Sequence, residues 1–295
     1  MRILITGATG FIGSAVAHRL STEYEVTCAA RSTSNRSRLQ GADLQYLMTD
    51  ADTEQLYREV AEVHPDLVIH IAGVFYSEHS RETIDNMLES NVVYAAKIFD
   101  AAYEAGCRTF INTGSCWQNY EGETYKPVNL YAATKQAAED ILDYYVHVRD
   151  CRAIHLTIFD SYGPDDSRRK ILNILRDIPD GGTIGMSGGQ QKMYLTYIDD
   201  IVDAYFQAVQ LTQSQLNGTA VKYAVRGDEP NSLREIAEAY IKASGKKIDI
   251  HWGERPYRNR EIMDPTGWGE PVPGWKPKYS LESGMEAYVK GGEKY

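Results

Sequence analysis

Through the first half of the chain, short apolar runs of strand length alternate with amphipathic runs at helical spacing. Ile3, Leu4 and Ile5 form the first run, the pattern of a strand buried on both faces. Phe11, Ile12, Ala15, Val16 and Leu20 follow at helical spacing. Further strand-like runs lie at 24–29, 44–48, 67–71, 108–112 and 153–159, and helix-like runs at 53–63, 81–105 and from Leu130 to about Val148. Strand and helix taking turns predicts an α/β fold, a doubly wound parallel sheet of the Rossmann type. Beyond residue 160 the rhythm breaks. The stretch 160–166 is turn-rich, 180–189 holds Gly-Gly twice, and 269–277 is rich in Gly, Pro and Trp. Helices are predicted there only at 198–209 and 233–243. No internal repeat is present. The pattern divides into a sheet domain over 1–160, rejoined by 196–222, and a smaller mixed C-terminal lobe from 161–195 and 223–295.

The turn between the first strand and helix carries Gly7, Gly10 and Gly13. In that context Gly7 permits a tight turn, Gly10 lets backbone approach a pyrophosphate, and Gly13 lets helix pack on strand. The helix N-terminus then offers N–H groups to the anion. Thr9, Phe11 and Ile12 complete the contacts predicted there for a dinucleotide. At the end of the second strand, where an NAD-binding fold places Asp or Glu on the ribose, no carboxylate occurs between Val26 and Ala42. Arg31, Ser32, Arg36 and Arg38 stand there instead, which favours NADP through its 2′-phosphate. Asp50, with Ala51, is placed either to meet the adenine edge or to cap the helix at 53–63. Ala72 and Gly73 are small where a cofactor would cross the sheet edge. Asn91 sits inside a predicted helix, either at the surface or holding backbone near the site.

Ser115 lies just past the fifth strand, and Tyr131 and Lys135 are four residues apart on one face of the next helix. Together with the glycine turn these three residues form a constellation for carbonyl chemistry. Tyr131 would donate a proton, Lys135 would lower the phenol's pKa, and Ser115 would orient the carbonyl oxygen. Cys116 and Trp117 follow Ser115 and are candidates for substrate contact. So are the cations Arg168, Arg169, Lys170, Arg226, Arg258 and Arg260, any of which suits a diphosphate.

With Gly-Ala-Thr-Gly-Phe-Ile-Gly, Ser115 and Tyr131-x-x-x-Lys135 in place, the chain resembles an extended short-chain dehydrogenase/reductase over nearly its whole length. That resemblance implies that Lys135 also holds the cofactor ribose. Tyr-Gly-Pro at 162–164, Tyr-Ile-Asp-Asp at 197–200 and Gly-Trp-Lys-Pro at 274–277 are similar to landmarks of the nucleotide-sugar branch. A narrower resemblance is to the CDP-linked 4-keto-deoxyhexose reductases, the paratose and abequose synthases of deoxysugar and lipopolysaccharide O-antigen biosynthesis. It implies NADPH-dependent reduction of a 4-keto group on a CDP-, dTDP- or GDP-linked deoxyhexose. Thr157 and the pair Met193 and Tyr194 depart from the branch, standing where many members carry Arg and Arg-Asp, so the grip on the diphosphate is altered. Cys116 and Trp117 replace the acid pair of a dehydratase. The alternatives are a nucleotide-sugar epimerase or epimerase-reductase and, more remotely, a non-catalytic NADP-binding sensor. Members of the family often dimerise through the helices at 81–105 and 131–148, and a homodimer is expected here.

The net charge of -10 argues against a nucleic-acid partner. No apolar run reaches membrane-spanning length. The first strand begins at once, so no signal peptide is expected, and Cys28, Cys107, Cys116 and Cys151 lack metal-binding spacing. A cytoplasmic protein without metal is the resulting expectation.

Overall fold

The computed structural model describes residues 1–50, 52–214, 217–265 and 267–292. In chain order the first half runs β1 (Arg2–Thr6), α1 (Phe11–Ser21), β2 (Glu25–Ala30), β3 (Gln45–Met48), α2 (Thr53–Val63), β4 (Leu67–His70), α3 (Arg81–Leu88), α4 (Tyr94–Glu104), β5 (Thr109–Ser115), α5 (Leu130–Arg149) and β6 (Arg152–Ile158). The second half runs β7 (Asp160–Tyr162), α6 (Ile171–Asp177), β8 (Thr183–Met186), β9 (Lys192–Met193), β10 (Leu195–Tyr197), α7 (Ile198–Thr212), β11 (Ala220–Val225), β12 (Asn231–Ser232), α8 (Leu233–Ser244), β13 (Asp249–Trp252) and α9 (Leu281–Gly292).

Seven strands form one parallel sheet in the order β11-β6-β5-β4-β1-β2-β3. Alternate residues of each strand feed opposite faces, as the pleat requires. Ile3 and Ile5 of β1 pack with Val16 and Leu20 of α1 and with α7. Leu4, between them, packs with α2, α4 and α5 on the other face. The Rossmann-type sheet predicted from the alternation is therefore present. Its outermost strand β11 ends at Val225, three residues past the segment expected to rejoin it.

Two local expectations change. The helix predicted over 81–105 is broken by a π-helical turn at Glu89–Val93, between α3 and α4. Asn91 lies in that turn and is buried; its side chain bonds the Val74 backbone and the Thr134 hydroxyl. The cap of α2 is Asp52, whose carboxylate accepts from Gln55 N at 2.8 Å, and not Asp50. Ala51 lies outside the described residues.

The C-terminal lobe is mixed. β13 pairs parallel with β8, and β12 pairs antiparallel with β9. Its core joins Leu172 and Leu175 of α6, Ile236 and Tyr240 of α8, and Met285 and Tyr288 of α9. Phe11 belongs to this core, so the lobe sits against the start of α1. Buried Asp200 accepts from Lys278 N at 2.8 Å and Tyr279 N at 3.1 Å, and its carbonyl accepts from Trp275 Nε1. The Tyr-Ile-Asp-Asp and Gly-Trp-Lys-Pro landmarks thus meet and pin the lobe to α7.

Candidate active site

The strand order reverses between β1 and β4, and the crevice at such a switch point is where α/β sheets take ligands. Gly7 sits there with φ +70; a Cβ would lie 2.6 Å from Ala72 N. A Cβ on Gly13 would lie 2.1 Å from Gly7 O. Both positions therefore need glycine for packing. Gly10 is exposed, precedes α1, and offers no side-chain cap to the helix's first N–H groups. This is the cradle a pyrophosphate fits. Thr9 and Ile12 are half-buried beside it. Phe11 is buried, with the Arg168 guanidinium 4.8 Å over its ring, and so faces the lobe. Asn91 closes the other wall. It accepts from Val74 N at 2.7 Å, donates to Val74 O and Thr134 Oγ1, and its Oδ1 lies 3.1 Å from where a Gly73 Cβ would be. Of its two expected roles, it fills the one of holding backbone.

Exposed Arg31 directly follows β2. Ser32 donates to Asp50 from its backbone N at 3.0 Å and from its hydroxyl. Those bonds hold the Asp50 carboxyl below its ordinary range, with a smaller contribution from Arg31. A carboxylate from the loop after the adjacent β3 thus stands beside the residues that follow β2. Arg36 lies over the Tyr46 ring and donates to Met48 Sδ. Arg38 donates to Asp165 O at 2.6 Å and Ser167 Oγ at 3.1 Å, which ties this loop to the one after β7.

Ser115 ends β5, and its hydroxyl accepts from Trp117 N at 3.3 Å. Tyr131 stands in the first turn of α5, which Asn129 caps by accepting from Ala132 N. Asn129 also donates to Tyr76 O and Ser77 O, fastening the loop after β4 to the helix. Phe75 from that loop stacks edge-on against both Tyr131 and Trp117. Burial, and then neighbouring Cys116, push Tyr131 up to about 12, against smaller pulls from Arg168 and Ser115. Burial is the largest of these influences, so the phenol stands above its ordinary value. Lys135 is itself buried, which brings it down to about 8, with Glu139 opposing the fall. Cys116 is buried, and that burial, followed by Asp160, pushes its thiol well above the ordinary value.

A cleft of about 390 Å³ opens beside these residues, between the sheet edge and the lobe. Cys116, Trp117, Arg258 and Arg260 line it, and so do Met193 and Tyr194. Arg258 lies over the Trp117 ring and pairs with Glu261 at 2.9 Å; Arg260 lies over Tyr120. The other predicted cations stand elsewhere. Arg168 pairs with buried Asp166 at 2.6 Å, Arg226 stacks on Tyr194 and donates to Gly267 O, and Arg169 is exposed. Lys170 lies 3.8 Å from Asp160, a cleft residue the sequence reading passed over. Phe75 was also missed; an aromatic just past β4 is its only signal.

All four cysteines are free thiols. Among the described residues no helix is long and apolar enough to cross a membrane, and no His/Cys/Asp/Glu group could hold a metal.

A model of the NAD dependent epimerase/dehydratase family matches residues 3–223. CDP-abequose synthase from Yersinia pseudotuberculosis is 29% identical over 268 residues, which cover 90% of this chain and 92% of that protein. UDP-glucose 4-epimerase from Mycolicibacterium smegmatis is 25% identical over 312 residues, covering 98% of each. A UDP-glucose-4-epimerase from Stenotrophomonas maltophila, solved with bound NAD and formylated UDP-arabinopyranose, aligns with a TM-score of 0.84 at 17% identity. It covers 100% of this chain and 98% of that one. At that identity the likeness speaks to fold.

Proposed function

The chain belongs to the NAD dependent epimerase/dehydratase family, and from that premise we propose that it reduces the 4-keto group of a nucleotide-linked deoxyhexose with NADPH. The convergence of Ser115, Tyr131 and Lys135 at the switch-point edge, beside the cleft, carries this reading. The similarity to CDP-abequose synthase supports the reductive direction and a CDP-sugar, with dTDP- and GDP-sugars in the same class.

The glycine turn, Asn91 with Gly73, and buried Lys135 fit a nicotinamide dinucleotide. When bound, it supplies the hydride for the carbonyl carbon. Tyr131 is held as a phenol at neutral pH, the form that gives a proton to the carbonyl oxygen. An oxidation would need its phenolate as base. Ser115 orients the oxygen by donating its hydroxyl hydrogen. Lys135, charged below about 8, holds the ribose and offsets the negative charge that proton loss leaves on Tyr131. Arg258 and Arg260 face the diphosphate from the cleft wall, where Met193 and Tyr194 replace the branch's usual pair. A homodimer would form through the segment from α3 to α4 and through α5, where Val93 of the π-helical turn, Tyr144 and Val148 are exposed; light scattering tests it.

The experiment supplies a CDP-linked 4-keto-6-deoxyhexose and NADPH. The expected result is stoichiometric loss of NADPH absorbance and a product heavier by two hydrogens. A chain that only senses the cofactor would bind NADPH and convert nothing. A second reading, 4-epimerisation with retained NAD, is favoured by Asp50 at the ribose end and by the epimerase relatives. It requires interconversion of UDP-glucose and UDP-galactose without net cofactor use.

A further inference from the structure

Tyr131, Lys135, Glu139 and Asp143 follow one another at four-residue intervals along α5 and therefore share one face. The first two belong to the proposed reaction; the last two do not. Glu139 is 4% exposed, an unusual place for a carboxylate without partners. It has two. Gln118 Nε2 donates to its Oε2 at 3.0 Å, and Lys222 of β11 pairs with its Oε1. Gln118 is itself buried and fixed at its other end, where its Oε1 accepts from Ser115 N at 2.7 Å. The carboxylate is thus locked in place one turn behind Lys135.

We propose that Glu139 is a positioning residue of this site: held between Gln118 and Lys222, its carboxylate keeps Lys135 in the ammonium form within a buried pocket. The inference rests on the reaction proposed above. Burial alone disfavours a charged amine, and an opposite charge close by restores it. The other groups around Lys135 do not do this. His70 of β4 faces it, but burial brings that imidazole down to about 3, so it is neutral. Tyr131, one turn ahead, is also neutral. Asp143, two turns behind, is engaged by His155 of β6 at 3.0 Å.

The test is the titration of Lys135 in the cofactor-free protein, read from its 13Cε resonance in lysine-labelled chain and assigned with Lys135→Met. Glu139→Gln keeps the size of the side chain and an oxygen for Gln118, and removes the charge. Its midpoint should fall by about one pH unit or more. Lys222→Gln breaks the same ion pair but leaves Glu139 uncompensated, so the midpoint should rise. If Glu139 merely braces α5 on the sheet, both variants move the midpoint in the same direction or neither moves it, and the proposal is wrong. Should Glu139→Gln fail to fold, the sign of the Lys222→Gln shift decides alone. During turnover the alkaline limb of kcat should follow the same two shifts, with KM for the sugar unchanged. Absence of turnover in every variant would count against the ketoreductase reading, whereas the resonance midpoints answer for Glu139 independently.

Discussion

The sheet edge and the lobe-side cleft wall meet at one site but are built differently. Ser115, Tyr131 and Lys135 stand on the end of a central strand and the first two turns of a twenty-residue helix. Each backbone there is fixed by a regular ladder or a cap. The opposite wall comes from loops. Arg258 and Arg260 lie between β13 and α9, Arg260 with φ +56; both lie over aromatic rings, and Arg258 pairs with half-buried Glu261. The proposed proton transfer therefore rides on regular elements, and the proposed recognition of the substrate on loop segments. Changes at the edge should act on kcat, and changes on the loop wall on KM.

The largest expected effect lies at the edge. Tyr131→Phe keeps the ring that packs on Phe75 and removes the proton donor. Its kcat should fall by about 10²–10⁴-fold, the usual worth of general acid catalysis, with NADPH affinity unchanged by calorimetry. A variant within threefold of the parent would move the proton donor elsewhere, at about 1.4 kcal/mol per decade of rate.

Cofactor choice comes next. Arg31→Ala should weaken NADPH by roughly 10- to 150-fold, the worth of a hydrogen bond to a charged group, and leave NADH nearly untouched. Asp50 now enters that balance with the opposite sign. Asp50→Asn should favour NADPH over NADH, since it removes a negative charge from beside Ser32. Parent protein that prefers NADH in kcat/KM would give the ribose end to Asp50 and strengthen the epimerase reading.

On the loop wall, Arg258→Ala should raise KM for the nucleotide sugar by about tenfold with kcat held, because one charge-assisted contact is lost. The partner Glu261 is left behind near the diphosphate, so Arg258→Ala with Glu261→Gln should recover part of the loss. A fall in kcat alone would break the division between edge and wall.

The same division explains what could be read in the sequence. Strand and helix period marked the sheet, and the glycine spacing and the Tyr131–Lys135 interval marked the edge, because short-range periodicity determines all of them. Asp50 was invisible as a neighbour of Ser32 because β3 joins β2 through strand pairing, not through adjacency in the chain. Sequence does not show that Asp166 pairs with Arg168 or that Arg226 lies over the Tyr194 ring, because both contacts are made by the folded lobe. Asp160, Phe75 and Glu139 enter the site only through tertiary packing. Glu139 did carry a faint signal, standing one more turn along from Lys135.

The smallest effect belongs to Cys116, which touches both regions: it follows Ser115 at the end of β5 and lines the cleft. An epimerase-reductase would use a thiolate there to remove a proton from the sugar carbon beside the ketone. Burial and the Asp160 carboxylate hold the group as a thiol at neutral pH, since a raised pKa means the proton is kept below it. A thiol is a poor base. Cys116→Ser should accordingly lower kcat by less than about threefold, under a half-decade of barrier, and leave the product's configuration unchanged. Turnover in deuterated water sharpens this further. Parent enzyme should place no deuterium at C3 or C5 of the product, whatever the rate. Deuterium at either carbon in the parent, lost in Cys116→Ser, would show that the cleft side of the site performs chemistry as well as recognition.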